Sequence, residues 1–343
     1  MPDPDKTIHL IDDRRMGGVT RFLDRVSEMR PKDETLFVKR GSMRGHSHEA
    51  GTIVSHLAIS WRSLPMMITL RACNPHARII HVEHSYCAGF EAHRVIARKR
   101  DRFHTLLRSV YALFDEVVAV SNGQAAWMQG IGVVPDHKVR IAPPLVDLSP
   151  FLDISDARPG EALRYGFVGR LDAQKGLDLI LDTWRESAPR AARFEIFGNG
   201  PMREELEAMV KGDPRIAFHG ATSSPAAAYR LFDIAVMPSR WEPFGLSCLE
   251  ARAAGRPTLV APVDGLPEQV NGGGGWIVDG GPQAWGQVFA QDHDPTTFTL
   301  QSSAARRIAT EQAAHSRARW ASILKAPERP GLAPSGGAVV VGE

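Results

Sequence analysis

Two glutamates, Glu242 and Glu250, lie eight positions apart on either side of a predicted strand-to-helix turn. The strand-like run Asp233–Met237 precedes the turn, and a helix-like run begins near Leu249. Gly245 lets the backbone approach a ligand closely, and the free N–H groups of a helix start attract phosphate. Two carboxylates would repel the phosphate itself, but they can accept hydrogen bonds from hydroxyl groups on either side of it. The pattern predicts a site for a sugar joined to a nucleotide through phosphates.

A second loop carries the complementary charge. Arg170 follows the predicted strand Arg164–Val168 and the Gly169 turn, and Lys175 lies just before a predicted helix. Ligands of open α/β sheets bind at the carboxyl ends of the strands. A guanidinium and an ammonium separated by a tight loop can hold two phosphates and neutralise a departing diphosphate. Alone, this loop would be read as ordinary surface charge, but the acidic turn favours the ligand-binding interpretation.

Four further residues, in three segments, give weaker signals. Gly17 and Gly18 follow the first predicted strand and open a helix, which suits either a phosphate or a plain turn. Their spacing is not G-x-G-x-x-G, which counts against NAD binding. Gly198 is in a turn after a strand and could border a nucleotide base. His84 lies just past a strand end, where a histidine is more often an ordinary polar residue than a catalytic one.

Length and composition indicate an ordinary globular protein with two domains. The chain has 343 residues, of which 43% are hydrophobic and 23% charged. Residues 1–150 contain 21 Lys and Arg against 16 Asp and Glu, so this half is basic while the whole chain carries only +2. A basic half suggests an acidic partner, such as a phosphorylated substrate or an anionic lipid, and nucleic acid less readily.

The cysteines and the termini predict a cytoplasmic location. Cys73, Cys87 and Cys248 are odd in number and have no metal-ligand spacing, so we expect reduced thiols. No signal peptide pattern is present, and no apolar run approaches the ~20 residues that cross a bilayer. Two D-x-D pairs, at 3–5 and 292–294, lie in a terminus and a late polar loop. We therefore predict no metal site and no cofactor beyond the substrate.

Short strand patterns alternate with helical patterns, which is typical of βαβ units on parallel sheets. A polar connection rich in Pro and Gly near residue 150 predicts a domain boundary. We predict a first domain over 1–150, a second over 151–303, a helix over 304–325 and a disordered tail over 326–343. The predicted strands are Thr7–Ile11, Leu36–Lys39, Gly51–Ser55, Arg78–Glu83, Glu116–Ser121, Lys138–Ala142, Arg164–Val168, Arg193–Phe197, Arg215–Phe218, Asp233–Met237 and Thr258–Ala261.

The basic segment 93–108 has six Lys and Arg against one Asp, with apolar residues throughout, inside a helix predicted over Ala92–Leu113. It fits an interfacial helix on anionic lipid or a helix that contacts a lipid-diphosphate acceptor. A helix with a solvated basic face packed on the core fits at least as well.

Taken together, the chain resembles the retaining glycosyltransferases of family 4, within the glycosyl transferases group 1, which have the GT-B fold. The resemblance is strongest over about 165–278. Its motifs are the Gly-Arg-Leu loop that ends in Lys175-Gly176, the turn Phe197-Gly-Asn-Gly-Pro201, the pair Glu242 and Glu250, and Ala254-Gly-Arg-Pro257. The GT-B fold implies two Rossmann-like α/β domains that face across a cleft, with a C-terminal helix that crosses back to the first domain.

The resemblance also implies roles for individual residues. Arg170 and Lys175 would hold the diphosphate, Glu242 the hydroxyls of the donor sugar and Glu250 the ribose, while His84 matches a donor-side histidine. We therefore expect Glu242, Arg170, Lys175 and His84 to be catalytic. The expected donor-binding residues are Gly17, Gly18, Gly169, Gly198, Phe244, Gly245, Leu246 and Glu250.

From this resemblance we expect a metal-independent, retaining enzyme that moves a hexose-type sugar from a UDP- or GDP-linked donor to a glycan or lipid-linked acceptor. Cell-surface polysaccharide synthesis would be a suitable pathway, at the inner face of the membrane or free in the cytoplasm. Two alternatives remain open. One is a sugar-nucleotide epimerase of the same architecture, and the other is a non-catalytic subunit that binds a nucleotide sugar.

Overall fold

The computed structural model describes residues 3–14, 17–39, 47–157, 160, 162–291 and 294–325. Its strands form two six-stranded sheets, and every strand pair is parallel. The first sheet contains β1 Asp3–Ile11, β2 Glu34–Phe37, β3 Ala50–Ser55, β4 Arg78–Glu83, β5 Glu116–Ala119 and β6 Val139–Ile141. The second contains β7 Arg164–Val168, β8 Arg193–Phe197, β9 Ile216–Gly220, β10 Ile234–Met237, β11 Thr258–Val260 and β12 Gly275–Ile277.

Each sheet reverses its strand order once. The first runs β2-β1-β3-β4-β5-β6, and the second runs β12-β11-β10-β7-β8-β9. The reversals fall between β1 and β3 and between β7 and β10. Loops that leave neighbouring strands there diverge to opposite faces of the sheet and leave a crevice between them. Helices cover both faces of a parallel α/β sheet. Because both faces are buried, the strands appear in the sequence as continuous apolar runs. The predicted α/β class with two such units is confirmed.

The described helices connect the strands. They are α1 Gly18–Met29, α2 Leu64–Cys73, α3 Ala88–Arg94, α4 Arg100–Tyr111, α5 Asn122–Gly130, α6 Ser149–Leu152, α7 Leu181–Ser187, α8 Arg203–Met209, α9 Pro225–Tyr229, α10 Leu246–Ala253, α11 Leu266–Val270, α12 Gly281–Ala290 and α13 Pro295–Ile323. Among them, no helix combines the length and the apolar character that a bilayer crossing requires. Nor does any described group of His, Cys, Asp and Glu have the arrangement of a metal site.

The prediction of one helix over Ala92–Leu113 is wrong. The chain forms α3 and α4 with an extended step at Val95 and Ile96 between them, followed by a short 3-10 turn. Two β-branched residues in sequence weaken a helix at that point. The basic segment 93–108 therefore spans parts of two helices, and a single continuous helical face does not form. Contact of this segment with an anionic membrane stays a prediction.

The other elements differ less from the bounds predicted for them. Strand β12 is missing from the predicted strands, because it has only three residues and begins at the last of four consecutive glycines, Gly272–Gly275. The last helix begins at Pro295, earlier than the expected residue 304, and Asp294 caps it by accepting a hydrogen bond from the Thr297 N–H. The predicted tail at 326–343 lies outside the described residues.

Helix α13 joins the two domains, as the resemblance implied. Phe298, near its start, is in the core of the second domain. Trp320, near its end, packs on Phe22 of α1 with ring centroids 4.6 Å apart, and its indole N–H donates to the Pro143 carbonyl at 2.8 Å. The indole is fully buried. Packing at the end of α13 therefore holds the first domain against the second.

Replacement of Trp320 by alanine should lower the free energy of unfolding by about 3–5 kcal/mol, because it empties a buried indole site and removes a hydrogen bond. Urea unfolding followed by far-UV circular dichroism measures the loss. Leu300→Ala on the same helix is the control, since Leu300 is 66% exposed and should change stability by no more than about 0.5 kcal/mol. Equal losses in the two variants would contradict the joining role of the helix.

Candidate active site

The reversal in the second sheet brings the two predicted loops together. β7 and β10 are neighbours, so the loop that carries Arg170 and Lys175 lies beside the loop that carries Glu242. The backbone N–H of Arg240 donates to the Gln174 carbonyl at 2.8 Å and links the loops directly. The ammonium of Lys175 forms an ion pair with the Glu242 carboxylate. Both side chains are mostly buried, which strengthens this pair relative to one in water.

Arg170 is the more accessible of the two predicted cations. Its side chain is 67% exposed, and its Nε lies 2.5 Å from an oxygen of Asp172. An exposed pair of this kind contributes little to stability and can be exchanged for another anion. Each predicted phosphate-binding cation therefore has a carboxylate partner within the protein.

The start of α10 forms the floor of the site. Gly245 has φ +95, and a Cβ there would lie 2.7 Å from a methyl carbon of Leu266, so this turn requires glycine. The buried amide of Gln269 donates to the carbonyls of Phe244 and Gly245 and holds the turn in place. Gly245, Leu246 and Ser247 all line the cleft, so the start of α10 faces it. A helix start in this position could bind an anion.

Glu250 lies one turn further along α10 and is almost fully buried. Burial raises the pKa of its carboxyl, and the neighbouring Arg21 opposes that shift. Arg21 belongs to α1 of the first domain and forms an ion pair with Glu250 across the cleft. The hydroxyl of Tyr229 also lies 3.4 Å from the second carboxylate oxygen. Glu250 is therefore both a cleft residue and a contact between the domains.

The start of helix α1 in the first domain lies opposite the start of α10. Gly17 and Gly18 open α1, and a Cβ on Gly18 would lie 2.9 Å from Cδ1 of Leu246. The starts of α1 and α10 thus approach each other from opposite domains. The positive ends of two helix dipoles then point into one space, an arrangement that favours an anion between them.

His84 approaches the cleft from the carboxyl end of β4 and is half-buried. Burial, with a smaller contribution from His81, lowers the pKa of His84 to about 4, against the opposing effect of Glu83. The imidazole is neutral at pH 7 for this reason. Its Nε2 lies 2.9 Å from Nδ1 of His56.

A cleft of ≈ 1090 Å³ contains nearly the whole predicted site. Among the residues that line it are Gly17, Gly18, His84, Gly169, Arg170, Lys175, Glu242, Phe244, Gly245, Leu246 and Glu250. They come from the carboxyl ends of strands in both sheets and from two helix starts. The structure therefore brings together eleven of the twelve predicted positions.

Gly198 is the remaining position, and it lies behind the wall of the cleft. With φ +144, a Cβ there would come within 1.7 Å of the Gly169 carbonyl oxygen. Its backbone N–H donates to the Gly220 carbonyl at 2.7 Å. Close packing against the Gly169 turn thus accounts for glycine at this position.

The sequence analysis missed Asp264, which links the acidic turn to the first domain. Its carboxylate accepts from the Glu242 backbone N–H at 2.9 Å and from the Gly89 N–H of α3 at 3.0 Å. The thiol of Cys87 lies 3.1 Å from the same carboxylate. Asp264 has φ +46, a conformation that non-glycine residues rarely adopt. No local sequence signal marks this residue, because its partners are distant in the chain.

Arg21 and the segment 222–226 also line the cleft and were not predicted. Arg21 lies one turn into α1, so placing that helix start at the cleft would have identified it. The segment 222–226 follows β9, and its small polar residues carry no signal of their own.

The cleft therefore presents separate surfaces to different parts of a ligand. Two helix starts and three cations, Arg21, Arg170 and Lys175, suit a diphosphate. Glu242 and Glu250 offer acceptor oxygens to hydroxyl groups at two separate points along the cleft. The ligand type predicted from the two glutamates fits this arrangement.

The second domain is similar in sequence to known glycosyltransferases. Residues 162–291 match the family model described as "Glycosyl transferases group 1". The mannosylfructose-phosphate synthase of Agrobacterium fabrum is 31% identical over 181 residues, which cover 46% of this chain and 40% of that protein. A D-inositol 3-phosphate glycosyltransferase of Xylanimonas cellulosilytica is 30% identical over 237 residues, or 60% of this chain and 56% of that one. The chain thus spans about half the length of these relatives.

The fold as a whole also matches a solved structure. Anabaena Alr3699/HepE in complex with UDP superimposes with a TM-score of 0.75 at 16% identity, over 93% of this chain and 99% of that one. The match includes both sheets, whereas the family model includes only the second. Residues 162–291 are therefore similar in sequence to glycosyl transferases group 1, and the two sheets together form the GT-B fold.

Proposed function

We propose that this protein is a glycosyltransferase that moves a hexose-type sugar from a nucleotide-diphosphate sugar to a glycan or lipid-linked acceptor. One observation carries the proposal. A single cleft between the sheets combines two helix starts, three cations and two separated carboxylates. A sugar nucleotide has the matching sequence of hydroxyls, diphosphate and hydroxyls. The family match over residues 162–291 supports the same chemistry.

In the proposed complex, Arg170 and Lys175 hold the diphosphate with the backbone at Gly245 and Leu246. Glu242 accepts hydrogen bonds from hydroxyls of the donor sugar, and Glu250 accepts them from the ribose. Gly17 and Gly18 allow the first domain to approach the phosphates without side-chain obstruction. A bound diphosphate competes with Glu242 for Lys175, so donor binding would release Glu242 to the sugar.

We further propose that transfer retains the anomeric configuration. The bond between the anomeric carbon and the phosphate oxygen breaks, and the acceptor oxygen bonds to that carbon on the same face. The acceptor's proton moves to the departing diphosphate oxygen, so the leaving group takes the proton as well as the electron pair. Lys175 and Arg170 stabilise the charge that develops on that oxygen. Proton NMR of the product of an α-linked donor would show an α-linkage, whereas a β-linkage would overturn retention.

The first domain is the proposed site of the acceptor. Its basic character suits an acceptor with phosphate or another anionic group, such as an intermediate of cell-surface polysaccharide synthesis. We place the reaction in the cytoplasm, because the three cysteines are unpaired in the structure.

A panel of UDP- and GDP-linked sugars, incubated with and without membrane extract, tests the proposed activity. We expect free nucleotide to form from one donor only when an acceptor-containing extract is present. Epimerised donor in the absence of acceptor would contradict the proposal, as would nucleotide-sugar binding without turnover under any condition.

Glu242→Gln should reduce kcat by roughly 10²–10³-fold, because the weaker acceptor contacts the sugar where charge develops. Nucleoside diphosphate binding should change by less than about threefold, or under 1 kcal/mol. Lys175→Ala should weaken binding by about 10–100-fold, the cost of a charged hydrogen bond to phosphate, and should lower turnover as well.

Steady-state kinetics and calorimetric titration with UDP and GDP separate these two effects. Glu195→Gln is the matched control, since Glu195 is on β8, pairs with His219 and does not line the cleft. Full turnover in the Glu242 or Lys175 variant would remove the proposed roles.

We also expect turnover to continue in the presence of excess EDTA. Arg170 and Lys175 provide the positive charge that a divalent cation supplies in other phosphate sites. The rate should stay within about twofold of the untreated rate, a difference below 0.5 kcal/mol. Loss of activity in EDTA that Mg²⁺ or Mn²⁺ restores would contradict metal independence.

A further inference from the structure

A second cavity, of ≈ 530 Å³, adjoins the cleft. Five residues line both spaces and therefore lie where the two meet: His84, Ser85, Arg170, Glu242 and Pro243. The remaining walls of the second cavity come from α3 of the first domain and from the loops that follow β7, β8 and β10 of the second domain. Its volume is within the range of roughly 300–1,000 Å³ that is typical of small-molecule sites.

Helix α3 is held against the second domain, so its position relative to Glu242 is defined. The Gly89 N–H at its start donates to Asp264 at 3.0 Å, and Asp264 also accepts from the Glu242 N–H. A Cβ on Gly89 would lie 2.7 Å from Cβ of Trp241, so this close approach requires glycine. One turn of contact further on, the Phe90 ring meets the Trp241 ring edge to face, with centroids 6.1 Å apart. Both rings line the second cavity and give it an aromatic wall.

The charges that line the second cavity are all paired except one. Arg170 pairs with Asp172, and Glu242 pairs with Lys175. Arg94, in the last turn of α3, also lines this cavity, and its guanidinium has no ion-pair or hydrogen-bond partner among the described residues. The three cations that line the cleft all have carboxylate partners, whereas Arg94 has none.

An unpaired guanidinium in a concave site favours an anionic ligand. Its planar N–H groups bind two oxygens of a phosphate or a carboxylate at once. The Arg94 side chain is exposed, so it is accessible to a ligand that enters the cavity. A neutral ligand would gain no ionic contact there, and a cationic ligand would be repelled. The aromatic wall and the single free cation together suit a small organic anion with some apolar surface.

We propose that the second cavity binds the acceptor, and that Arg94 determines its class: a saccharide that carries a phosphate or a carboxylate. The identification as an acceptor rests on the proposed function, because Glu242, where the two cavities meet, is the residue proposed to contact the donor sugar. An acceptor in the second cavity directs a hydroxyl toward the donor at Glu242 and binds Arg94 with its anionic group. Arg94 is thus a residue that determines acceptor specificity and takes no part in bond cleavage.

Calorimetric titration tests this preference without any turnover. The probes are glucose 6-phosphate, glucuronate and glucose, each titrated into protein that contains excess UDP or GDP to fill the cleft. We expect an anionic probe to bind at least about tenfold more tightly than glucose, the factor that corresponds to one charged hydrogen bond. Arg94→Gln should abolish this preference. Equal affinity for all three probes, binding by none of them, or an unchanged preference in the variant would overturn the proposal.

Arg98→Gln is the matched control, because it removes the same charge from the same basic segment and Arg98 lines neither cavity. It should leave the preference unchanged. An equal loss in this variant would mean that the whole basic segment attracts anions, and the role of Arg94 would be overturned. Arg94→Lys keeps the charge but lacks the paired N–H groups, so it should retain part of the preference.

Transfer kinetics distinguish a free acceptor from a lipid-linked one. Membrane extract is separated into a water-soluble fraction and a lipid fraction in detergent, and each is supplied with the donor panel. In the fraction that supports turnover, Arg94→Gln should raise the KM for the acceptor about 10–100-fold. The KM for the donor and the affinity for UDP or GDP should stay within about twofold, a difference below 0.5 kcal/mol.

The outcomes separate this proposal from the proposed function. Transfer with an unchanged acceptor KM in Arg94→Gln would overturn the role of Arg94 and leave the transferase activity standing. Absence of transfer with either fraction would contradict the proposed function and, with it, the identification of the ligand as an acceptor. The probe titration would still decide whether the second cavity binds anionic saccharides through Arg94.

Discussion

The parallel direction of every described strand pair is the constraint on which the rest of this structure depends. In a parallel sheet all strands end at one edge, and the helices that follow begin there. The polar loops and the free N–H groups of helix starts therefore collect at that edge. The two sheets face each other at the edges where their strands end. The starts of α1 and α10 therefore meet across one cleft. The meeting of two helix starts at one cleft therefore follows from topology before any side chain is considered.

Ion pairs between charged side chains position the residues that line the cleft. Lys175 pairs with Glu242 within the second domain, whereas Arg21 pairs with Glu250 between the domains. Asp264 binds the backbone of Glu242 and the start of α3 together. Arg21 and Glu250 thus line the cleft and also hold the two domains in contact. In the proposed complex, a bound anion would compete with Glu250 for Arg21 and so alter the domain contact.

Much of the fold could be predicted, because alternating apolar strands and helical runs have a strong periodic signal. Strands of four or more residues were located within a few positions. The failures have physical causes. β12 is three residues long and follows glycines, so it has no periodicity to detect. The turn between α3 and α4 depends on two β-branched residues within a helical pattern, and the early start of α13 depends on a cap by Asp294.

The sequence by itself located the charged residues that the second domain contributes to the cleft, because Arg170, Lys175, Glu242 and Glu250 lie in short segments next to single strands. Local spacing is enough to place such residues at a strand end. Only the tertiary structure decided which further residues join them. Arg21 of the first domain and Asp264 of the second reach the glutamates through domain packing and strand order. Contacts between residues so distant in the chain leave no pattern in a single sequence.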